Sequence, residues 1–249
     1  MADDVIEAQT APVRIYRHRL STRLWHWINA VTVIVLLGSG LMILNVHPHL
    51  YWGHFGANFD QPWFSVSMVF ADGRVPGWLT IPSSYSLSAA RRWHLFFALV
   101  LGFALLAFMI ASLANRHFKR DLTVTREDVS PRHLARDARA HLALRFHDPE
   151  RPARYNSLQK WSYILVIFVM LPLLILTGLT MSPGMNAAWP WLIDLFGGRQ
   201  SARSIHFIVA VALAGFILVH LVLVMLAGVW NETRSMITGW WRVPVEKRP

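Results

Sequence analysis

The sequence predicts an all-α integral membrane protein: a four-helix bundle with both termini cytoplasmic and a surface helix between the second and third spans. Three observations predict it. Of the 249 residues, 54% are hydrophobic and only 15% are charged, whereas soluble domains carry about 25% charged residues. The apolar residues gather into four runs, each long enough to cross a hydrocarbon core of about 30 Å. The basic residues lie between those runs, mostly in alternate connections. Topology therefore accounts for the net charge of +10 better than nucleic-acid binding does.

Residues 1 to about 22 are polar and then basic, with Arg14, Arg17, Arg19 and Arg23 in sequence. The first span covers about 24–46. No small-residue cleavage pattern accompanies it, so it is expected to stay as a span and not to act as a cleaved signal peptide. Residues 47–92 are rich in Pro, Gly, Trp and Ser (HPHLYWGHFG, QPWF, VPGW, IPSSYS). They predict an ordered interfacial loop, with Trp52, Trp63 and Trp78 joining Trp25, Trp27 and Trp93 as interface anchors. The second span covers about 93–114. In the hydrophilic segment after it, Ser130-Pro131 has the form of an N-cap and first helical position. Leu134, Ala138, His141, Leu142 and Arg145 then fall at helical spacing, which predicts the surface-lying helix. His117, His133, His141 and His147 are expected to face solvent or headgroups. The third span covers about 158–181, with a kink expected at Pro172. A short loop leads to the fourth span, about 203–230, and a basic tail. No internal repeat is detectable, and residues 1–249 read as a single domain.

Lys and Arg number four in the N-terminal segment, eleven in residues 115–160 and four in the C-terminal tail, against three and two in the other two connections. The excess places both termini in the cytoplasm. Cysteine is absent. That excludes thiolate-held iron–sulfur clusters, covalent C-x-x-C-H haem attachment and disulfides within this chain. A redox cofactor would need other ligands, and histidine is the obvious one.

The fourth span carries two histidines, His206 and His220, fourteen residues apart. That is nearly four helical turns, so both imidazoles leave one face, roughly 21 Å apart along the axis. Ionisable groups inside a span are functional candidates. Depth pairs them with two others. His26 starts span one on the inner side and matches His220; His94 starts span two on the outer side and matches His206. Each pair suits axial ligation of a b-type haem, and the ligation satisfies a ring nitrogen that would be costly to bury alone. An interhelical hydrogen bond explains any one of these histidines equally well, but explains four in two planes poorly. The HPHLYWGH stretch (His47, His49, His54) lacks carboxylates and is a poor metal site.

Arg23, Arg91 and Arg203 each precede a histidine of this set by three residues, about one turn nearer the membrane surface. They are candidate partners for haem propionates, with ordinary snorkelling at a helix end as the alternative. Gly40 follows His26 by fourteen residues and lies at the outer-haem depth, where it would let a porphyrin approach closely. Small-residue helix packing is the alternative.

These residues carry a resemblance. RLWHW around His26, RRWH around His94, RYNSLQKWSY at 154–163, TGLTM at 177–181 and the His206/His220 pair resemble the membrane cytochrome b subunits of bacterial formate dehydrogenases, nickel–iron hydrogenases and thiosulfate reductases. The thiosulfate-reductase type is the nearest. The likeness covers roughly residues 14–241; the long 47–92 loop departs from shorter members. It implies two haems b in a bacterial inner membrane and a ubiquinone or menaquinone site beside the inner haem, formed by Asn156, Gln159 and Lys160. An N-terminal cap by Asn156 and a positive-inside anchor at Lys160 are the alternatives. The expected function is electron transfer between a periplasmic redox subunit, a molybdoenzyme or similar, and the quinone pool, with the partner docked on the 47–92 loop. Two other functions compete: a self-contained cytochrome b561 oxidising superoxide to reduce quinone, and a haem-free transporter or membrane anchor.

Overall fold

A computed structural model describes residues 13–57, 59–143 and 155–243. Arg145 and His147 lie outside the described residues, as does Arg154 of the RYNSLQKWSY stretch. Four helices are long and apolar enough to cross a membrane: α1 (Leu20–Val46), α2 (Leu87–Ala114), α5 (Ser157–Thr180) and α8 (Arg199–Thr238). Shorter helices lie between them: α3 (His117–Asp121), α4 (Pro131–Leu142), α6 (Pro183–Ala188) and α7 (Trp191–Leu195). Helix α4 forms where the surface helix is expected, with Pro131 at its start.

The spanning helices begin earlier than hydropathy suggests. Helix α1 starts at Leu20 instead of about 24, α2 at Leu87 instead of 93, and α8 runs 199–238 instead of 203–230. Hydropathy marks only the lipid-depth part of a helix, whereas backbone hydrogen bonding continues through polar turns. Along α2, Leu95, Phe96, Leu99, Phe103 and Leu106 are exposed, a stripe at helical spacing of the kind that faces acyl chains. Pro172 acts on the turn before it. Residues Leu165–Met170 form a π-helical segment, because Pro172 has no N–H to donate and its ring crowds the carbonyl four residues back. Helix α8 breaks at Gly228, whose φ of 108° and ψ of 84° are non-helical, a backbone position that side chains disfavour.

The chain divides into two compact units. One comprises residues 27–109 and 163–218. Its core is Leu44, Leu50, Val66 and Val75, packed by Leu41, Phe64, Phe70, Leu79 and Phe207. The 47–92 segment is ordered by specific hydrogen bonds. Strands β2 (His49–Leu50) and β3 (Phe64–Ser65) pair antiparallel. The Asn45 amide bonds both the N–H and the carbonyl of Val75, at 2.7 and 3.0 Å. The loop also caps the fourth span. The Gly53 carbonyl accepts from the Gln200 and Ser201 N–H groups at 3.1 and 3.2 Å, Ser201 Oγ accepts from the Gly53 N–H at 2.7 Å, and Ser204 Oγ donates to the Tyr51 carbonyl at 2.6 Å. Those first-turn N–H groups have no partner within the helix.

Gly198 makes this cap possible. Its φ is +109°, and a Cβ there would fall 2.4–2.7 Å from the backbone of Gly53 and His54. Gly198→Ala is therefore expected to lift the loop from α8 and destabilise the protein by about 1–3 kcal/mol, the cost of a strained backbone position. Limited proteolysis would read the change as new cleavage within 47–92; an unchanged digest would contradict the capping account.

The other unit comprises residues 1–26, 110–162 and 219–249. Here strand β1 (Arg14–Tyr16) pairs antiparallel with β4 (Trp240–Arg242), a pairing across more than two hundred residues that hydropathy does not reveal. Trp241 is fully buried. Arg17 stacks over its ring at 5.1 Å, and Glu232 accepts its indole N–H at 2.8 Å. His18, buried alongside, is held neutral: burial, with the Arg17 charge second, pushes its pKa down to about 4.

Candidate functional site

The structure brings the four histidines together in two pairs. In the unit holding residues 26 and 220, the His26 and His220 rings stand 6.4 Å apart between centroids and are tilted by 59°. In the other unit, His94 and His206 stand 6.2 Å apart at 58°. Two metal–imidazole bonds of about 2 Å each, taken with the radii of two five-membered rings, put ring centres about 6 Å apart. Both gaps therefore suit one iron held by two imidazoles. They are too wide for direct hydrogen bonding of ring to ring; the interhelical hydrogen bonds that His94 and His206 make use Nδ1 and go to other spans.

The His94 and His206 imidazoles are each oriented by a neighbouring span. His94 Nδ1 lies 3.0 Å from Ser39 Oγ on α1, and His206 Nδ1 lies 2.9 Å from Thr177 Oγ1 on α5. Gly40 and Gly178 follow those hydroxyl residues. A Cβ on Gly40 would meet His94 Cε1 at 3.4 Å, and one on Gly178 would meet His206 Cε1 at 3.5 Å. Gly40 thus gives room to an imidazole, where close approach of a porphyrin is the expectation from its spacing. Ser39, Thr177 and Gly178 escape a reading by histidine spacing. The signal that marks them is a hydroxyl residue followed by glycine, once in the first span and once in the third.

The arginines differ among themselves. Arg203 Nη2 donates to the His47 carbonyl at 2.6 Å. Arg91 is exposed, and its charge also reaches His47, whose imidazole pKa is pushed down by burial, then by Arg203 and Arg91. Both charges therefore act on His47, in the unit that holds His94 and His206. Arg23 donates to the Ile237 carbonyl. Its Nε is buried with no hydrogen-bond partner among the described residues, an orphan that a propionate would satisfy. On the same helix, one turn past His26, both amide atoms of Asn29 are buried without partners among the described residues; this residue too is invisible to histidine spacing.

The YN-x-x-QK stretch builds a helix start. Asn156 Oδ1 accepts the Gln159 N–H at 2.8 Å, and Gln159 Oε1 accepts the Asn156 N–H at 3.3 Å, a reciprocal capping box. Asn156 Nδ2 donates to His141 Nε2 at 3.3 Å. Lys160 is buried and pairs with Asp128 at 2.8 Å. Ser157 Oγ donates to the other carboxylate oxygen at 2.7 Å, and the Trp161 indole donates to the Asp128 carbonyl at 2.9 Å. Burial would raise the Asp128 pKa. The bonds from Lys160, Ser157 and Thr125 more than reverse this and hold it well below the usual carboxylate range. Lys160 is therefore an internal clamp. Nor do two of the connecting-segment histidines face outwards as expected. His117 is buried against Asp121 at 2.7 Å, because Asp121 follows it by one helical turn. His141 donates to the Asp137 carbonyl at 2.8 Å while accepting from Asn156.

Several known proteins are similar to most of the chain. The putative cytochrome YdhU of Escherichia coli is 30% identical over 241 residues, covering 92% of this chain and 75% of its own. The putative protein-methionine-sulfoxide reductase subunit YedZ1 of Azospira oryzae is 25% identical over 213 residues, 82% of this chain and 87% of its own. The probable Ni/Fe-hydrogenase B-type cytochrome subunit of Cupriavidus necator is 23% identical, covering 82% and 76%. No solved structure matches. A model of the prokaryotic cytochrome b561 family matches residues 17–239. That match runs from the first basic segment past the end of the fourth helix and takes in every span, so the chain belongs to the prokaryotic cytochrome b561 family of membrane haem-b proteins.

Proposed function

We propose that the protein is a two-haem b electron relay, one di-haem membrane domain joining a periplasmic redox subunit to the quinone pool of a bacterial inner membrane. The observation that carries this reading is the pair of imidazole pairs at 6.4 and 6.2 Å. Haem supplies one-electron chemistry when bound; the chain fixes its ligands, its surroundings and its access to water. His26 and His220 hold the inner site, His94 and His206 the outer one. Arg91 and Arg203 hold the outer propionates and Arg23 an inner one. The excess of Lys and Arg in the connections supports a cytoplasmic position for the termini and, with them, the inner pair.

Quinone exchange belongs to the unit that carries the inner pair. Asn156 and Gln159 lie in that unit, and Lys160, tied to Asp128, fixes the helix start that presents them. Their amides can give hydrogen bonds to quinone oxygens without burying a charge. The partner docks on the 47–92 segment, where Trp52, Phe55, Phe59 and Trp78 stand exposed. The names of two relatives, a hydrogenase subunit and a reductase subunit, support a partner of that general kind.

A redox titration of the reduced-minus-oxidised spectrum of the purified chain tests the reading. Two haem components, both re-reduced by a quinol analogue, are expected. A preparation with no haem bands would return the chain to the transporter or anchor class. A single component would remove the relay.

A further inference from the structure

We infer that Ser39 and Thr177 are positioning residues for the outer haem: they fix the ring tautomer and orientation of His94 and His206, and thereby its reduction potential. The inference rests on the two-haem reading above. A hydroxyl has one proton to donate and two lone pairs. Ser39 Oγ sits 2.6 Å from the Val35 carbonyl, one turn back on its own helix. Thr177 Oγ1 sits 2.6 Å from the Leu173 carbonyl in the same way. A carbonyl can only accept, so each hydroxyl proton is spent there. What faces the imidazole is a lone pair, and Nδ1 must carry the hydrogen. In a neutral imidazole the other nitrogen, Nε2, then keeps its lone pair for the metal.

The device is built twice. A hydroxyl residue one turn from its carbonyl acceptor is followed by a glycine whose missing side chain leaves room for the ring edge, at 3.4 Å on one side and 3.5 Å on the other. Ser39 and Thr177 are both fully buried, so water does not compete for either bond. The ring cannot turn about its Cβ–Cγ axis without abandoning both the hydroxyl and the glycine recess. An acceptor on Nδ1–H raises the basicity of the ligating nitrogen, which favours the ferric form and lowers the potential. Removing it has the opposite sign.

Full-length Ser39→Ala/Thr177→Ala protein, titrated in detergent by optical spectroscopy, tests the inference. The outer component is identified as the one missing from His206→Ala. Its reduction equilibrium is expected to shift about tenfold toward the ferrous form, about 59 mV for a one-electron couple, with the inner component unmoved. The low-spin ferric resonance of the outer site, which depends on imidazole orientation, should shift as well. The swaps Ser39→Thr and Thr177→Ser keep the hydroxyls and are expected to restore both readouts. An alanine variant that retains the outer haem at its parental potential would overturn the inference. So would swaps that move the potential as far as alanine does, because packing and not the hydroxyl would then be the cause. A parent protein without an outer haem would instead overturn the two-haem reading, independently of any variant.

Discussion

His206→Ala is expected to remove the outer haem and leave the inner one, and His220→Ala to do the reverse. Each variant should lose about half of the iron and one of the two spectral components, because loss of an axial ligand far exceeds the tenfold to hundredfold cost of losing a group behind it. His94→Ala and His26→Ala should match their respective partners, since each gap of 6.2 or 6.4 Å needs both imidazoles. Haem content per protein and the redox titration read this directly. Equal loss of both components in a single variant would break the pairing, and a His26 variant behaving like the His206 variant would mean that the ligands had been matched across the wrong depths.

Lys160→Met is the second large effect, and it acts on stability. It leaves the Asp128 carboxylate buried, with side-chain exposure of only 6% and without its cation. Breaking one partner of a buried pair costs about 3–5 kcal/mol. Removing both charges, in Lys160→Met with Asp128→Asn, should recover much of that loss, since the isolated charge is then gone. Thermal unfolding in detergent, followed by haem absorbance, separates the two variants; equal midpoints for them would mean that the ion pair holds nothing. The pH dependence has a definite sign. The folded-state pKa of Asp128 lies below its unfolded value of about 3.9. Its contribution is therefore present above that value and lost as pH falls through the lowered one.

Histidine pairing was legible because an α-helix converts residue count into depth and direction. Fourteen residues fix both, and depth alone matched His206 with His94 and His220 with His26. Family membership was legible for a related reason: the motifs are short and sit at span ends. Other features depend on partners remote in sequence, which no periodicity encodes. Lys160 reads as an interfacial anchor until Asp128, thirty-two positions earlier in a polar connection, is placed against it. Ser39 and Thr177 read as ordinary small helix residues, since hydroxyls in spans commonly bond their own backbone. The Asn156–Gln159 cap was one of two readings of the same residues, and the hydrogen bonds show that the cap is formed.

The pairing of β1 with β4 bears on how the chain is made. Arg14–Tyr16 leaves the ribosome first among the described elements, yet its hydrogen-bond partners at Trp240–Arg242 emerge last. The ladder cannot close until all four crossings have been threaded by the insertion machinery, with both ends delivered to the same aqueous compartment. An intermediate with three crossings would strand Arg17 without Trp241 and without Glu232, whose carboxylate lies 3.8 Å from its guanidinium. The two ends can thus zip together only after the fourth crossing, and a molecule with one crossing missing or inverted cannot complete the ladder.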